Sequence, residues 1–493
     1  MKSTSQYLIA RWGFLKCIAV IYLIAFVSFG TQIDGLVGSG GILPAKTFLE
    51  VVSRHVGPER YGLLPTIFWF NASDGFLHLV SGAGAIFSLL ALLGFFQVPI
   101  FFWLWLSYLS LVTVSGDFLG FQWDNLLLEV GFLSIFSAPW SIAAKPSSQS
   151  EPPTFILWLF RILLFKLMFS SGAVKLSSGD PAWRHLTALT FHYETQPLPT
   201  WISWYAHQLP AWFQKVSVAM MFGIELFVPF LIFSPRRFFR LFACIVLVGF
   251  QILIFLTGNY CFFNLLTIAL CLLLIDDELW PVWIKERFLA PSETLPIRFQ
   301  NWSKLAVVPI AIVFILISTV EIGGAFRSPL PWPRSIVTLH RLLSPFRTIN
   351  SYGLFAVMTT KRSEIVVEGS NDGQTWLAYE FKWKPGDLKK RPAFAEPHQP
   401  RLDWQMWFAA LGSYRESPWF ISFLKRLLEG SPQVLGLLSK NPFPEGPPRY
   451  LRAVMYDYQF TNFDTKRREG TWWQRDHKRL YCPVVTLKPK GIN

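Results

Sequence analysis

The chain has 493 residues, of which 52% are hydrophobic and only 15% charged, with 22 Trp and 47 Phe. A soluble domain carries about 25% charged residues, so this composition excludes an ordinary soluble protein and indicates a membrane protein. The charge is uneven, because residues 325–493 hold 26 of the 45 Lys and Arg but only 14 of the 31 Asp and Glu. We therefore expect an apolar transmembrane domain at 1–324 and a basic extramembrane domain at 325–493.

The basic residues of the C-terminal third are scattered and form no nucleic-acid-binding motif, so nucleic acid is not an expected partner. Such a surface can instead face anionic lipid headgroups or an acidic protein. No cysteine belongs to a CxxC pair, and the spacing predicts neither a disulfide framework nor a metal site. No cofactor is expected. The five cysteines are Cys17, Cys244, Cys261, Cys271 and Cys482.

Nine apolar runs approach the length of about 20 residues that a spanning helix needs. The first lacks a convincing small-residue cleavage site and is read as an uncleaved helix. Clusters of Lys and Arg put the N-terminus on the cytoplasmic side. Nine crossings then place the loop 176–215 and the C-terminal domain on the outer side, which is the endoplasmic reticulum lumen in a eukaryote or the periplasm in a bacterium. The runs lie at roughly 14–36, 76–95, 97–115, 118–137, 154–175, 216–234, 240–257, 260–275 and 304–322.

Ionisable residues lie inside these predicted spans, where a charge is costly unless it is paired. One span carries Asp124 and Glu129, and the next carries Arg161 and Lys166. Two acids and two bases on consecutive helices predict a structural network in which the acids pair with the bases. The alternative is a catalytic or proton-handling pocket, in which Lys166 acts as a base if desolvation lowers its pKa.

The outer loop 176–215 is denser in His, Tyr, Trp, Glu and Pro than a connection requires. His192, Glu194 and His207 could ligate a metal or act as acids and bases, although their spacing matches no zinc signature. The tryptophans of the loop are typical of an interfacial aromatic belt. The loop therefore predicts either a cover over the mouth of the bundle or a binding surface for a client protein or a lipid.

The C-terminal domain has the pattern of short strands separated by turns. An Asn-Asp-Gly turn signal follows the first strand. Together the elements predict a compact β-sandwich with a helical insertion. The predicted strands are 363–368, 376–383, 450–460 and 480–487, and the predicted helices are 403–412, 419–428 and 432–439.

Several long motifs resemble the lipase maturation factor family, and the membrane half more distantly resembles vitamin K-dependent carboxylase-like proteins. The resemblance implies a polytopic endoplasmic reticulum membrane protein that helps secreted lipases fold and assemble, with no established enzymatic activity. It also implies that the C-terminal region engages the client. The motifs are QWDNLLLEVGFL (122–133), SGDPAW (178–183), HYETQPLP (192–199), VEGSNDG (367–373) and PHQPRLDWQMWFAAL (397–411).

The leading hypothesis is a non-enzymatic maturation factor, or chaperone, whose partners are secreted lipases or similar clients together with membrane lipids. Four aromatic residues are candidate client contacts: Trp404, Trp407, Tyr193 and Trp204. Trp404 and Trp407 can equally belong to an ordinary helix buried in the core of the domain.

The competing hypothesis is a membrane-embedded, carboxylase-like enzyme that acts on a quinone or a lipid. Its candidate catalytic residues are Asp124, Glu129, Lys166, His192 and Glu194. A transporter is not favoured, because neither an inverted repeat nor paired broken helices are recognisable.

Overall fold

The computed structural model describes residues 6–140, 154–289, 302, 304–326 and 332–487. Seven helices in these ranges are long and apolar enough to cross a membrane. The expectation of a polytopic membrane protein is thereby confirmed. The helices are α1 (Leu8–Gly30), α5 (Asp74–Leu93), α6 (Gln97–Ser115), α8 (Thr154–Ser177), α12 (Ala211–Leu226, extended by the 3-10 helix Val228–Phe233), α13 (Arg237–Thr257) and α16 (Lys304–Ala325).

Two of the nine predicted spans are shorter helices, namely α7 (Gln122–Ser137) and α14 (Phe263–Leu272). At a rise of 1.5 Å per residue they extend about 24 and 15 Å, less than the roughly 30 Å of a bilayer core. Both are largely buried among the longer helices. The prediction of nine spans is therefore not confirmed by helix length.

Short helices connect the spans. They are α2 (Ile33–Leu36), α3 (Ala45–His55), α4 (Arg60–Leu63), α9 (Pro181–Arg184), α10 (Leu189–Thr195), α11 (Trp201–His207), α15 (Val282–Leu289) and α17 (Arg334–Leu343). Proline or a hydroxyl side chain begins several of them. The Asp180 carboxylate accepts a hydrogen bond from the Ala182 amide at the start of α9, and the Thr200 hydroxyl accepts one from the Ser203 amide at the start of α11.

The C-terminal third contains two small antiparallel sheets. A four-stranded sheet has the order β2-β1-β5-β6, and a two-stranded sheet pairs β3 with β4. The strands are β1 (Arg362–Ser370), β2 (Leu377–Ala378), β3 (Glu380–Phe381), β4 (Leu438–Lys440), β5 (Tyr450–Phe460) and β6 (Trp473–Val485). The helices are α18 (Arg401–Ala410), α19 (Pro418–Leu428), α20 (Pro432–Leu435) and α21 (Phe463–Glu469).

The predicted strand 450–460 is confirmed with the same bounds, and the predicted helices 403–412 and 419–428 are present within two residues of their bounds. The predicted helix 432–439 ends at Leu435 instead, and its last two residues belong to β4. The Asn-Asp-Gly turn is also confirmed, with Gly373 at φ +74° and Asp372 Oδ1 accepting from the amides of Gln374 and Thr375 at 2.8 Å. β6 begins seven residues before the predicted strand 480–487. These small sheets do not confirm the predicted β-sandwich.

One hydrophobic core runs from the bundle into the C-terminal third. It contains Phe26 and Leu128 of the bundle as well as Ile365 of β1 and Phe423 of α19. α18 packs against β1 and against the turn after α6, and α20 packs against α2. The C-terminal region is thus built onto one end of the bundle, and this contact positions the site described next.

Candidate functional site

Asp124, near the start of α7, binds a residue that lies 277 positions away in the sequence. The guanidinium of Arg401, the first residue of α18, donates to its two carboxylate oxygens at 2.6 and 2.8 Å. The Tyr108 hydroxyl donates to the same carboxylate at 2.5 Å, and the amide of Phe121 does so at 3.3 Å. Asp124 and Arg401 are both buried. A bidentate, charge-assisted pair of this kind fixes α18 on the end of the bundle.

Glu129, five residues further along α7, is shared between the bundle and the C-terminal region. Lys166 of α8 donates to its Oε1 at 2.6 Å. Its Oε2 accepts from the Tyr352 hydroxyl at 2.6 Å and from the Asn350 amide at 3.0 Å. The Lys166 ammonium also lies 5.4 Å from the ring centroids of Phe314 and Tyr352. Glu129 therefore links two helices to the segment that leads into the sheet.

The predicted network of acids and bases is confirmed for one pair and wrong for the other. Glu129 pairs with Lys166, as expected. Asp124 does not pair with Arg161, whose guanidinium donates to the Tyr7 hydroxyl at 2.9 Å instead. The reason is geometric, because Arg401 reaches Asp124 from outside the bundle and supplies two parallel donors. We call the contacts of Asp124 and Glu129 with the C-terminal region the buried junction.

The buried junction is suited to holding structure rather than to proton transfer. Lys166 is an ammonium that donates to a carboxylate and is fully buried, whereas a general base needs a free lone pair facing its substrate. Asp124 already accepts from three side-chain and backbone groups. The geometry gives no support to the catalytic role considered for Asp124, Glu129 and Lys166.

Polar side chains at the ends of the spans add to the buried junction, and the sequence reasoning missed them. Gln32, just after α1, donates to the Gln399 carbonyl at 2.8 Å and accepts from the Arg401 amide at 2.9 Å. Asn259, just after α13, donates to the Ala393 carbonyl at 2.9 Å and accepts from the Ala395 amide at 2.7 Å. Their signal in the sequence was an amide side chain directly after an apolar run.

The HYETQPLP motif of the outer loop holds the first long strand of the sheet. The buried guanidinium of Arg362, at the start of β1, donates to the carbonyls of Glu194 and Pro197 at 2.8 Å. It also pairs with Glu364 at 2.6 Å and lies 5.2 Å from the ring centroid of Trp473. The two prolines remove competing backbone donors and keep the segment extended. The backbone carbonyls of the outer loop therefore hold the start of β1 in place.

His192, Glu194 and His207 are not brought together as a metal site. His192 Nε2 lies 3.2 Å from the Tyr260 hydroxyl, whereas Glu194 accepts from the Phe460 amide at 2.9 Å. His207 Nε2 lies 3.7 Å from Glu194 Oε2. Within the described residues no group of three His, Cys, Asp or Glu side chains could hold a metal ion.

Burial shifts the pKa of each of these loop groups toward its neutral form. It lowers the pKa of His192 to about 4, helped by the nearby charge of Lys175. It also lowers the pKa of His207. Burial raises the pKa of Glu194, against the opposing effects of the Phe460 amide and Arg362. Burial of all three groups, with His192 and Glu194 engaged by Tyr260 and Phe460, favours a packed loop over an acid–base centre.

Three of the four candidate client contacts are buried, and Tyr193 is half-buried. Trp404 packs edge-on against Trp123, with ring centroids 4.7 Å apart. The Trp407 indole donates to the Thr195 carbonyl at 2.8 Å. Trp204 lies at 0% exposure. Trp404 and Trp407 occupy the core between the loop, α7 and α18, whereas Trp204 packs with Phe460 and Trp473 of the sheet. The structure therefore gives these three rings no surface to offer a client. Their client-binding role stays a prediction.

The exposed and basic part of the C-terminal region is formed by β6 and the preceding helix α21. β6 is an edge strand of its sheet, and residues 474–480 are all exposed. Leu480 is 62% exposed and Val484 is 53% exposed. Six basic side chains lie on the two elements: Lys466, Arg467, Arg468, Arg475, Lys478 and Arg479. We call this surface the basic rim. Among the described residues no further strand pairs with the outer edge of β6, and the basic rim carries exposed apolar and basic side chains.

The fold and the site define a class of protein. It is a polytopic membrane protein whose C-terminal region is fastened to one end of the bundle by buried polar contacts and exposes a basic strand edge. Family models agree with this division. Residues 9–282 match the lipase maturation factor transmembrane domain, and residues 348–483 match the lipase maturation factor C-terminal domain. The chain belongs to the lipase maturation factor family.

Individual relatives resemble the chain along nearly its whole length. It is 37% identical to lipase maturation factor 2 of Xenopus tropicalis and to that of Homo sapiens, in each case over 97% of this chain and 82% of the relative. It is 34% identical to lipase maturation factor 1 of Bos taurus, over 97% of this chain and 89% of the relative. No solved structure matches the chain. None of these descriptions names a carboxylase.

Proposed function

We propose that the chain is a membrane-resident maturation factor that assists the folding and assembly of secreted lipases. The observation that carries this proposal is the similarity to proteins named lipase maturation factor over 97% of the chain. The similarity includes both the bundle and the C-terminal region. The filled, ion-paired buried junction also favours a binding protein over an enzyme that works inside the membrane.

We infer nine crossings, with α7 and α14 spanning the bilayer alongside the seven longer helices. Contacts at the ends of the short helices support this topology. Asp276, just after α14, pairs with Arg240 in the first turn of α13 at 2.9 Å, so α14 returns to the side from which α13 starts. The Trp302 indole donates to the Ile135 carbonyl at 3.2 Å, which joins the end of α7 to the region before α16.

This topology puts residues 325–493 and the outer loop 176–215 on the side opposite the N-terminus. That side is the lumen of the endoplasmic reticulum in a eukaryotic cell, or the periplasm in a bacterium, and a secreted client passes through either compartment. We further propose that residues 1–324 and 325–493 are the two domains of the chain. The two sheets then represent the two layers of a β-sandwich. Ile365 of the four-stranded sheet and Phe381 of the two-stranded sheet line the same cavity.

We propose that the client is held by the edge strand β6. An exposed edge offers unpaired backbone donors and acceptors to an extended segment of an unfolded chain. Lys478 and Leu480 are exposed there and supply charge and apolar contact. The buried Trp204 and the half-buried Tyr193 support client handling indirectly, because they pack in one apolar cluster with Phe460 of β5 and Trp473 of β6.

The test is secretion of an active lipase from cells whose own lipase maturation factors have been deleted. We expect the wild-type chain to restore secreted lipase activity severalfold above an empty vector, at equal lipase expression. The double variant Lys478→Glu/Leu480→Ser should lose most of that gain while its abundance in the membrane stays unchanged. A matched control, Lys440→Glu/Leu377→Ser, changes one exposed Lys and one exposed Leu away from β6 and should keep full activity.

The outcomes separate the two parts of the proposal. A wild-type chain that gives no more lipase activity than the empty vector would refute the maturation role itself. Restoration by the wild-type chain and equally by the β6 variant would refute only the assignment of β6 as the client surface.

A further inference from the structure

α21 lies at the level where a spanning helix enters the membrane. The side-chain amide of Gln208 donates to the Thr461 carbonyl at 3.2 Å, two residues before α21 begins. Gln208 in turn stands three residues before α12 starts at Ala211. Trp212, in the first turn of α12, is 67% exposed. Because aromatic rings at the start of a span sit among the lipid headgroups, α21 lies close to that depth.

An aromatic box fixes α21 in this position. The Lys466 ammonium lies 3.4 Å from the ring centroid of Trp472 and 4.6 Å from that of Trp204, with Tyr205 at 5.3 Å. Phe463 packs edge-on against Trp204, with centroids 5.0 Å apart. The cation–π contacts join α21 to the outer loop. Lys466 is therefore used inside the protein, whereas Arg467 and Arg468 on the same helix are exposed.

The outward side chains of α21 include two guanidinium groups and an aromatic ring, together with the exposed carboxylates of Asp464 and Glu469. Arg467 and Arg468 are exposed, and Phe463 is 56% exposed. Next to them on the outer loop, Tyr205 is 43% exposed. Arginines bind phosphate through paired donors, and aromatic rings are enriched at the headgroup level of a bilayer.

We propose that α21 is a lipid-headgroup anchor, in which Arg467 and Arg468 bind phosphate groups of anionic lipids in the outer leaflet while Phe463 inserts among the headgroups. The anchor holds the edge of the C-terminal sheet against the membrane. It rests on the topology proposed above and does not depend on a lipase client. The bilayer is favoured over an acidic protein because Gln208, three residues before the membrane-spanning helix α12, contacts Thr461, two residues before α21.

The test uses the full chain in nanodiscs that contain a photoactivatable lipid, either anionic (phosphatidylserine) or zwitterionic (phosphatidylcholine). Crosslinked residues are identified by mass spectrometry. We expect residues 461–470 to crosslink more to the anionic lipid, by up to about fivefold, because each basic residue at a bilayer surface favours anionic lipid to that extent while Asp464 and Glu469 oppose it. Arg467→Glu/Arg468→Glu should abolish the preference, and so should high ionic strength.

The control Lys440→Glu/Arg449→Glu reverses two exposed basic residues, and Arg449 stands next to the opposite end of β5 from Thr461. That end is up to about 36 Å from Thr461, given the rise per residue of a strand. This control should keep the wild-type crosslinks. Crosslinking of 461–470 no stronger than that of the exposed residues 475–480, with either lipid, would overturn the proposal. It would favour an acidic protein segment as the partner of α21.

Discussion

The buried junction and the basic rim use the same residue types in opposite ways. In the buried junction, Arg401 and Lys166 are each matched by a carboxylate at 2.6 Å and withdrawn from solvent. On the basic rim, Arg467, Arg468 and Lys478 are exposed. The contrast shows that charge holds this protein together in the first region and is available to a partner in the second.

The energetic consequences of the two arrangements differ. Removing one member of a buried pair leaves a charge without compensation and costs about 3–5 kcal/mol. Removing one member of an exposed pair costs about 1 kcal/mol or less. Substitutions in the buried junction should therefore act on the fold, and substitutions on the basic rim should act on partners and leave the fold intact.

Replacing Arg401 by Ala has the largest expected effect. The buried Asp124 carboxylate would keep only the hydrogen bonds from Tyr108 and Phe121, so the free energy of unfolding should fall by about 3–5 kcal/mol. The measurement is denaturant-induced unfolding of the full chain in detergent, followed by tryptophan fluorescence.

The control for this variant is Lys425→Ala, which breaks an exposed pair with Glu429 at 3.8 Å. Its free energy of unfolding should stay within about 1 kcal/mol of the wild-type value. Equal losses for Arg401→Ala and Lys425→Ala would show that the buried junction contributes no more than a surface contact.

Replacing Trp404 by Ala should lower the free energy of unfolding by about 3 kcal/mol, because it leaves a cavity between α18 and α7. The neighbouring Phe408, which is 42% exposed on the same helix, provides the control. Phe408→Ala should cost clearly less in the same unfolding experiment. If Trp404→Ala left the unfolding unchanged but abolished lipase secretion, Trp404 would be a client contact, as its position in the sequence first suggested.

Part of this architecture could be predicted from the sequence, and the reason lies in which residues are close along the chain. The Glu129–Lys166 pair was predictable because both residues lie in consecutive apolar runs. The Asp124–Arg401 pair was not predictable, because the two residues lie 277 positions apart. A single sequence gives no sign that such distant residues are paired.

The start of β6 was missed for a different reason. An edge strand that faces water needs no alternation of apolar residues, and the first half of β6 reads as WQRDHKR. The sequence left two readings of Trp404 and Trp407 open, a client contact and an ordinary helix buried in the core. Apolar residues surround α18 on most of its faces, and this pattern is typical of a helix that is buried all round.

Replacing Glu129 by Gln should have an intermediate effect on stability. The side chain keeps its shape and can still accept hydrogen bonds from Tyr352 and Asn350, but Lys166 loses its counter-charge. The free energy of unfolding should fall by about 2 kcal/mol. Adding Lys166→Met should recover part of that loss, because the buried ammonium is then also removed. A double variant whose loss equals the sum of the two single losses would mean that the pair is not coupled.

His398 gives the contact between the two regions a weak dependence on pH. Its Nδ1 lies 2.9 Å from the hydroxyl of Ser28 in α1, so it joins the PHQPRLDW segment to the bundle. Burial lowers the pKa of His398 to about 4, and the charges of Arg401 and Lys382 act in the same direction. The side chain is therefore neutral in the folded protein at pH 7.

Acidification should destabilise the fold through His398, and this is the smallest of the expected effects. In the unfolded chain His398 is protonated below about pH 6.5, whereas in the folded protein it stays neutral down to about pH 4. The free energy of unfolding therefore falls as the pH is lowered through that window. Glu396 opposes the trend, because burial raises its pKa and its protonation favours the folded state. The thermal unfolding temperature should therefore drop less between pH 7 and pH 5 in His398→Gln than in the wild-type chain. The control His55→Gln, at an exposed histidine, should behave as the wild-type chain does. An identical drop in unfolding temperature in all three proteins would show that His398 does not contribute to the pH dependence.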